Sequence, residues 1–255
     1  VDLNGRSAIV TGGAGGLGAA TVRLLTEAGL GVVVFDQNAE GAEKLVSELG
    51  RGAAVSGDVT DDADVGAAIA AAVAMGPLGV VVNVAGGATG GGRTLSRDNS
   101  PHSMEIFTTT MAMNAFGTFN VTRLAAATMA GNEPDESGQR GVVVNTASVA
   151  GLEGQAGQVA YGAAKAAILG MTLPVARDLA PVGIRVCAIA PGTMGTPIMM
   201  SAPEELREKL TSSIQFPKRM GRPEEFAQLV LSIVENPYLN GENIRLDGAL
   251  RFPPK

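Results

Sequence analysis

Tyr161 and Lys165 stand four residues apart. On a helix that spacing puts both side chains on one face. A phenol ordinarily loses its proton near pH 10, and an ammonium beside it favours the phenolate and lowers that value. A Tyr tuned in this way donates or accepts a proton near neutrality, which is general acid–base chemistry. Ser148 lies upstream, on the loop after the Val142–Ala147 run. A hydroxyl there can hydrogen-bond a substrate oxygen and steady its charge. Taken alone, a Tyr–Lys pair at helical spacing is an ordinary surface pair. Here Tyr is scarce (Tyr161 and Tyr238 only), and the pair follows a Ser at a strand end. It also lies downstream of a unit suited to a nucleotide.

That unit is the turn Thr11-Gly12-Gly13-Ala14-Gly15-Gly16-Leu17-Gly18. Glycine lets a backbone approach a pyrophosphate closely and lets a helix pack on its strand. The free N–H groups of the helix start then face the phosphates. Gly12, Gly15, Gly16, Leu17 and Gly18 are the expected contacts. The context separates this run from an ordinary tight turn: a strand before, a helix after, and an acid at the end of the next strand. The acid is Asp36, 18 residues beyond Gly18. A carboxylate there accepts both ribose hydroxyls of NAD and repels a 2′-phosphate. Gln37 and Asn38 follow it, with no Arg or Lys to receive a phosphate, so NAD is expected over NADP. A cap on the helix beginning near Ala39 is the plainer alternative for Asp36. Asp58-Val59 closes the third strand run and is placed to hold the adenine. Asn83-Val84-Ala85-Gly86 closes the fourth, with small residues that leave room for a flat cofactor.

The elements that must position these groups are legible in the hydrophobic pattern. Short Val/Ile-rich runs lie at 8–10, 32–35, 53–55, 80–82, 142–144 and 184–189, with a last strand near 243–246. They are continuous rather than alternating, as in strands covered on both faces. Helical patterns alternate with them over 17–25, 40–49, 64–74, 105–129 and 159–180. Such alternation predicts an α/β fold with a parallel sheet. The Gly-rich stretch 86–103 and the stretch 131–141 read as loops. The first follows a strand's carboxyl end, where open α/β sheets bind ligands. No internal repeat or linker divides residues 1–255, which predicts a single domain.

Composition excludes other classes. With 45% hydrophobic and 17% charged residues the chain is not disordered. A net charge of −6 argues against a nucleic-acid partner. One Cys (Cys187) and one His (His102) leave no ligand set for a zinc site and no internal disulfide, so no metal is expected. His102 reads as a polar loop residue and Cys187 as a small core residue. The uncharged stretch 65–92 is broken by Gly76-Pro77 and Asn83, so it predicts a buried helix, a turn and a strand rather than a membrane span. No export pattern opens the chain, and with a lone Cys this favours a reducing cytoplasm.

The chain resembles the short-chain dehydrogenase/reductase family over essentially its whole length. The resemblance rests on the Thr11–Gly18 turn, Asp58, Asn83–Gly86, Asn114, Ser148, Tyr161 with Lys165, and Pro191-Gly192. It implies a Rossmann fold: a doubly wound, seven-stranded parallel sheet with helices on both faces. It also implies hydride transfer between a nicotinamide cofactor and a carbonyl or alcohol, supported by Ser148, Tyr161 and Lys165. By the same resemblance Lys165 holds the nicotinamide ribose, and Asn114 helps hold a water leading to Lys165. Pro191, Gly192, Met194 and Thr196 reach the nicotinamide end. Val84 departs from the family's pattern, where many members have a second Asn; being small and uncharged, it should change little.

Longer stretches, 144–155, 170–181, 132–135 and 235–242, resemble a narrower group, the type II 3-hydroxyacyl-CoA dehydrogenases. This implies NAD(H), oxidation of a 3-hydroxyacyl-CoA to the 3-oxoacyl-CoA as in β-oxidation, or of a hydroxysteroid, and a homotetramer. Gln155 and Gln158, near Ser148, are candidate substrate contacts, with plain loop residues the equal alternative. Residues 194–210, with Met199, Met200 and Leu206, read equally as a mobile apolar lid or a plain amphipathic helix. Arg93 and Arg97 could meet the phosphates of CoA, although a solvated polar loop is the commoner reading. A β-ketoacyl reductase is disfavoured by Asp36. A non-catalytic NAD-binding scaffold is disfavoured by the intact Ser148, Asn114, Tyr161 and Lys165.

Overall fold

The computed structural model describes Leu3 and residues 5–254. Seven strands form one parallel sheet: β1 (Ser7–Thr11), β2 (Gly31–Asp36), β3 (Ala53–Ser56), β4 (Leu78–Asn83), β5 (Gly141–Thr146), β6 (Ile184–Pro191) and β7 (Asn243–Leu246). Their order is β3-β2-β1-β4-β5-β6-β7. Every expected strand run is present. The chain winds outward from β1 to β3, then crosses back to β4 on the other side of β1. That reversal opens a crevice at the carboxyl ends of β1 and β4, where ligands bind in such sheets.

The strands are Val-rich because both faces are covered. Val10, Val34, Val82 and Val144 pack on one side with Leu25 of α1 (Gly16–Glu27) and with Phe226 and Val230 of α10 (Pro223–Glu235). Ile9, Val33, Val81 and Val143 pack on the other. Their partners are Ala68 of α3 (Asp62–Val73), Val121 of α5 (Gly117–Met129) and Ala176 of α7 (Val159–Leu179). A pleat buried on both faces leaves no polar alternation.

One feature differs from the pattern in the sequence. The helix expected over 105–129 is α4 (Met104–Met111), a π turn (Ala112–Phe116) and then α5. The uncharged stretch 65–92 folds as expected, into the body of α3, a turn at Gly76-Pro77, and β4 followed by loop. Among the described residues, only Val159–Val182 is long and apolar enough to cross a membrane. Within it, Ala160, Ala164, Ile168, Thr172 and Ala176 of α7 are buried. The remaining helices are α2 (Ala39–Leu49), α6 (Ala150–Glu153), α8 (Pro197–Met200) and α9 (Glu204–Ser212).

Candidate active site

Ser148 follows β5 and opens toward α6, its Oγ accepting from the Ala150 N–H at 3.1 Å. The Ser148 hydroxyl lies beside the Tyr161 phenol, close enough to draw its pKa down. One turn along α7, Lys165 is only 3% exposed. Its Nζ donates to the Thr146 carbonyl at 2.8 Å and lies 5.8 Å from the Tyr161 ring centroid. Asn114 sits in the π turn and is fully buried. An extra residue in a helical turn of this kind re-aims a side chain, and such turns recur at functional sites. Asn114 Nδ2 donates to the Gly87 and Thr110 carbonyls, both at 2.8 Å, and Oδ1 accepts from the Gly87 N–H at 3.0 Å. Gly86 lies between these groups at φ +148°: a Cβ there would overlap Asn114 Oδ1 and sit 3.3 Å from Lys165 Nζ. Ser148, Tyr161, Lys165, Asn114 and the end of β4 thus converge on one point.

The electrostatics depart from the simple expectation for a Tyr beside a Lys. Burial pushes the Tyr161 phenol above its ordinary value, and the Ser148 hydroxyl pulls part of the way back. The Lys165 ammonium is turned to the Thr146 carbonyl and is itself pushed down to about 8 by burial. Desolvation disfavours the charged form of both groups. At neutral pH the free protein therefore holds a protonated Tyr161 beside a Lys165 that is still charged.

The glycine turn fits a dinucleotide. The first turn of α1 carries no acidic residue and its N-cap, Gly15, makes no side-chain cap, so the N–H groups at the helix start are free for an anion. Gly18 is required by contact, because a Cβ would overlap the Gly12 carbonyl oxygen. Asp36 closes β2 with Oδ2 accepting from the Ala14 N–H at 3.0 Å and Oδ1 from the Asn38 N–H at 2.9 Å. It is not the cap of α2; Asn38 is, accepting from the Gly41 N–H at 3.1 Å. The Asp36 carboxylate is thereby fastened to the turn it serves. Asp58 accepts from Gln37 Nε2 at 3.0 Å and from the Thr60 N–H at 2.8 Å. Thr11 Oγ1 accepts from the Val84 and Ala85 N–H groups at 3.1 and 3.0 Å, tying the glycine turn to the end of β4.

Three of the expected cofactor residues turn their side chains inward. Asn83 is 2% exposed, and its Nδ2 donates to Asn145 Oδ1 at 2.9 Å and Thr122 Oγ1 at 3.2 Å. Val59 is buried, and its carbonyl accepts from Asn120 Nδ2 at 3.0 Å. Met194 packs its side chain into the core near Gly221. By contrast, Thr196 lies over the glycine turn: a Cβ on Gly16 would be 2.9 Å from Thr196 Cβ. Pro191 ends β6 and accepts through its carbonyl from the Val149 N–H at 3.1 Å, beside Ser148. Gly192 follows, with its N–H donating to the Leu246 carbonyl at 2.9 Å.

On the substrate side, the amides of Gln155 and Gln158 are used by the loop that carries them. Gln155 Nε2 donates to the Pro253 carbonyl and Gln158 Oε1 accepts from the Gln155 N–H, both at 3.1 Å. The Gly-rich loop docks beside them, Gly92 donating to the Gly157 carbonyl at 2.9 Å. Arg93, Gln155 and Gln158 line an open cavity of about 580 Å³ there. Elsewhere on the surface, α8 and α9 expose Ile198, Met200 and Leu206. The contacts of Thr11 with the end of β4, of Gln37 with Asp58 and of Gln155 with Pro253 carry no signal in the sequence, because each depends on a partner far along the chain.

Residues 6–207 match the family model described as short chain dehydrogenase. The chain is 49% identical over 254 residues to human 3-hydroxyacyl-CoA dehydrogenase type-2, covering 99% of this chain and 97% of that protein. It is 37% identical over 245 residues to ipsdienol dehydrogenase of Ips pini, covering 95% and 96%. The crystal structure of 3-hydroxyacyl-CoA dehydrogenase type-2 from Mycobacterium avium superposes with a TM-score of 0.97 at 53% identity, covering 98% of each chain. With its seven-stranded parallel sheet and its Ser148, Tyr161 and Lys165 at the sheet's carboxyl edge, this chain belongs to the short chain dehydrogenase family.

Proposed function

We propose that the protein is an NAD-dependent dehydrogenase that interconverts a 3-hydroxyacyl-CoA and its 3-oxoacyl-CoA. The observation that carries the chemistry is the convergence of Ser148, Tyr161, Lys165 and Asn114 at the end of β4 and β5. The substrate follows from relatives named for that activity that share about half of the residues over nearly the full chain. The preference for NAD over NADP follows from Asp36, whose carboxylate accepts ribose hydroxyls and repels a phosphate.

In the oxidative direction Ser148 donates to the substrate oxygen and fixes its place. Tyr161, once ionised, takes the hydroxyl proton as the C–O bond becomes a carbonyl. Lys165 stabilises the phenolate, and Asn114, bonded to Gly87 and Thr110, fixes the backbone that follows Gly86 beside Lys165. The glycine turn, Asp36 and Thr196 would hold NAD, which would supply the acceptor for the hydride that leaves the same carbon. In the reductive direction Tyr161 gives its proton back. Its raised value suits that donation at neutral pH, and oxidation should quicken as pH rises.

The partner is a second copy of the chain, assembled as a homotetramer. Phe116 and Phe119 are exposed and, with Ala167 and Met171 of α7, line an apolar hollow on the outer side of the π turn. A reducing cytoplasm suits the buried thiol of Cys187. The test is NADH formation from 3-hydroxyacyl-CoAs of several chain lengths, beside hydroxysteroids, with NAD and with NADP. Turnover of acyl-CoAs with NAD is expected. Turnover of steroids alone, or a preference for NADP, would overturn the corresponding assignment, and no turnover of any alcohol would favour a binding role.

A further inference from the structure

Away from the groups that do chemistry, one cationic side chain joins segments that each carry part of the site. Arg245, on β7, sends Nη2 to Glu153 Oε1 at 2.8 Å and to the Leu250 carbonyl at 2.9 Å, and Nε to Asp247 Oδ2 at 2.7 Å. Its side chain is 25% exposed and that of Asp247 only 8%. Glu153 ends α6, on the stretch between Ser148 and Tyr161. The same carboxylate accepts from the Phe252 N–H at 3.2 Å, and the C-terminal segment continues across the loop. There the Ala156 N–H donates to the Pro254 carbonyl at 3.1 Å and Gln155 Nε2 to that of Pro253.

Asp247 also packs against the Pro191-Gly192 turn, which the proposed function puts at the nicotinamide end. A Cβ on Gly192 would lie 2.8 Å from Asp247 Cβ, so the Pro191-Gly192 turn rests directly on it. The next residue, Gly248, accepts through its carbonyl from the Gln215 and Phe216 N–H groups at 3.0 and 3.3 Å, where the chain returns from α9. Arg251 supports the pair, donating to Asp247 Oδ2 at 3.1 Å. A guanidinium is a planar fork that engages two carboxylates at once, which a point charge on a flexible stem does not reproduce.

We infer that Arg245 is a positioning residue: clamped between Glu153 and Asp247, it sets the Ser148–Tyr161 segment against the Pro191-Gly192 turn and the chain that returns from α9. It touches neither the acid–base groups nor the cleft. It acts by fixing the distance between the side of the site that handles the proton and the side that receives the nicotinamide. This rests on the proposed role of Tyr161.

The test uses the full chain with Arg245→Met, Arg245→Lys and Glu153→Gln, the last preserving shape while removing one charge. NADH fluorescence should give binding within twofold of the unmodified protein for all three. The Met variant should lose at least ~10-fold in kcat, since displacements of about 1 Å cost up to ~100-fold. Its deuterium isotope effect on kcat, with substrate labelled at the carbinol carbon, should rise. Arg245→Lys should recover part of the rate, and Glu153→Gln should fall between. Amide hydrogen exchange at Ala156 and Phe252 should quicken at least ~10-fold in the Met variant while β5 stays protected. Unchanged kcat and isotope effect would overturn the inference, as would a rate loss matched by lost NADH sites. The exchange measurement stands apart from turnover: failure of the unmodified protein to oxidise any alcohol sinks the proposed function, whereas unaltered exchange at Ala156 and Phe252 sinks this inference.

Discussion

Lys165→Met should change how stability depends on pH as well as ending turnover. In the native protein burial lowers the Lys165 ammonium from 10.5 to about 8. At about 1.4 kcal/mol per unit, holding that charge inside the fold costs about 3 kcal/mol at neutral pH. Met fills similar space and carries no charge, so it escapes the cost. It also leaves the Thr146 carbonyl without its donor, which takes back roughly 1–3 kcal/mol. At pH 7 the variant should therefore be as stable as the unmodified protein or about 1–2 kcal/mol more so. The sharper signature is the slope. Between about 8 and 10.5 the unfolded chain binds a proton at this Lys that the folded chain has released, so stability rises with pH in that window. The variant has no such rise. Tyr161, raised by burial, acts in the opposite sense, but only above its ordinary value of 10. Urea unfolding at pH 7, 8, 9 and 10, without nucleotide and at one protein concentration, should show the unmodified protein gaining about 2–3 kcal/mol on the variant. A difference constant to within about 0.5 kcal/mol across that range would refute the reasoning.

Gly86→Ala should leave the fold intact yet cut kcat by roughly 100-fold, because the new methyl displaces Asn114 Oδ1 and crowds Lys165 Nζ; steady-state kinetics beside a thermal melt checks this. Asp36→Ala should reduce the preference for NAD over NADP by about tenfold or more, equivalent to about 1.4 kcal/mol, read from kcat/KM for the two cofactors. The two reaction directions should respond oppositely to pH. Ketone reduction, which needs Tyr161 protonated, should fall as Tyr161 ionises, while alcohol oxidation should climb. Parallel pH profiles for both directions would contradict this.

Much of this architecture was legible in the sequence, for identifiable reasons. Strands such as 80–82 and 142–144 announce themselves because both faces are covered, so no polar residue interrupts them. The glycine turn is legible because its requirement is steric and local. The π turn around Asn114 is not: Met113, Asn114 and Ala115 suit a continuous helix, and the extra residue is set by what packs on it. Asn83 looks like a cleft residue from its place at a strand end, but its amide finds Asn145 and Thr122, two groups distant in sequence. Asp36 and Asn38 both suit a cap, and only the fold shows that Asn38 takes that place while Asp36 reaches back to Ala14. The direction of the Tyr161 shift is not legible, because spacing reveals the neighbouring ammonium and hides the burial. The clamp of Arg245 on Glu153 spans 92 positions and leaves no local trace.

The central claim is that the Tyr161 oxygen moves the substrate's proton. It is tested most directly by single-turnover NADH formation from a 3-hydroxyacyl-CoA by Tyr161→Phe, at enzyme concentrations verified by NADH binding. The account predicts unchanged NADH affinity with the rate reduced at least ~100-fold. A variant that binds NADH normally and turns over within a few-fold of the unmodified protein would contradict it.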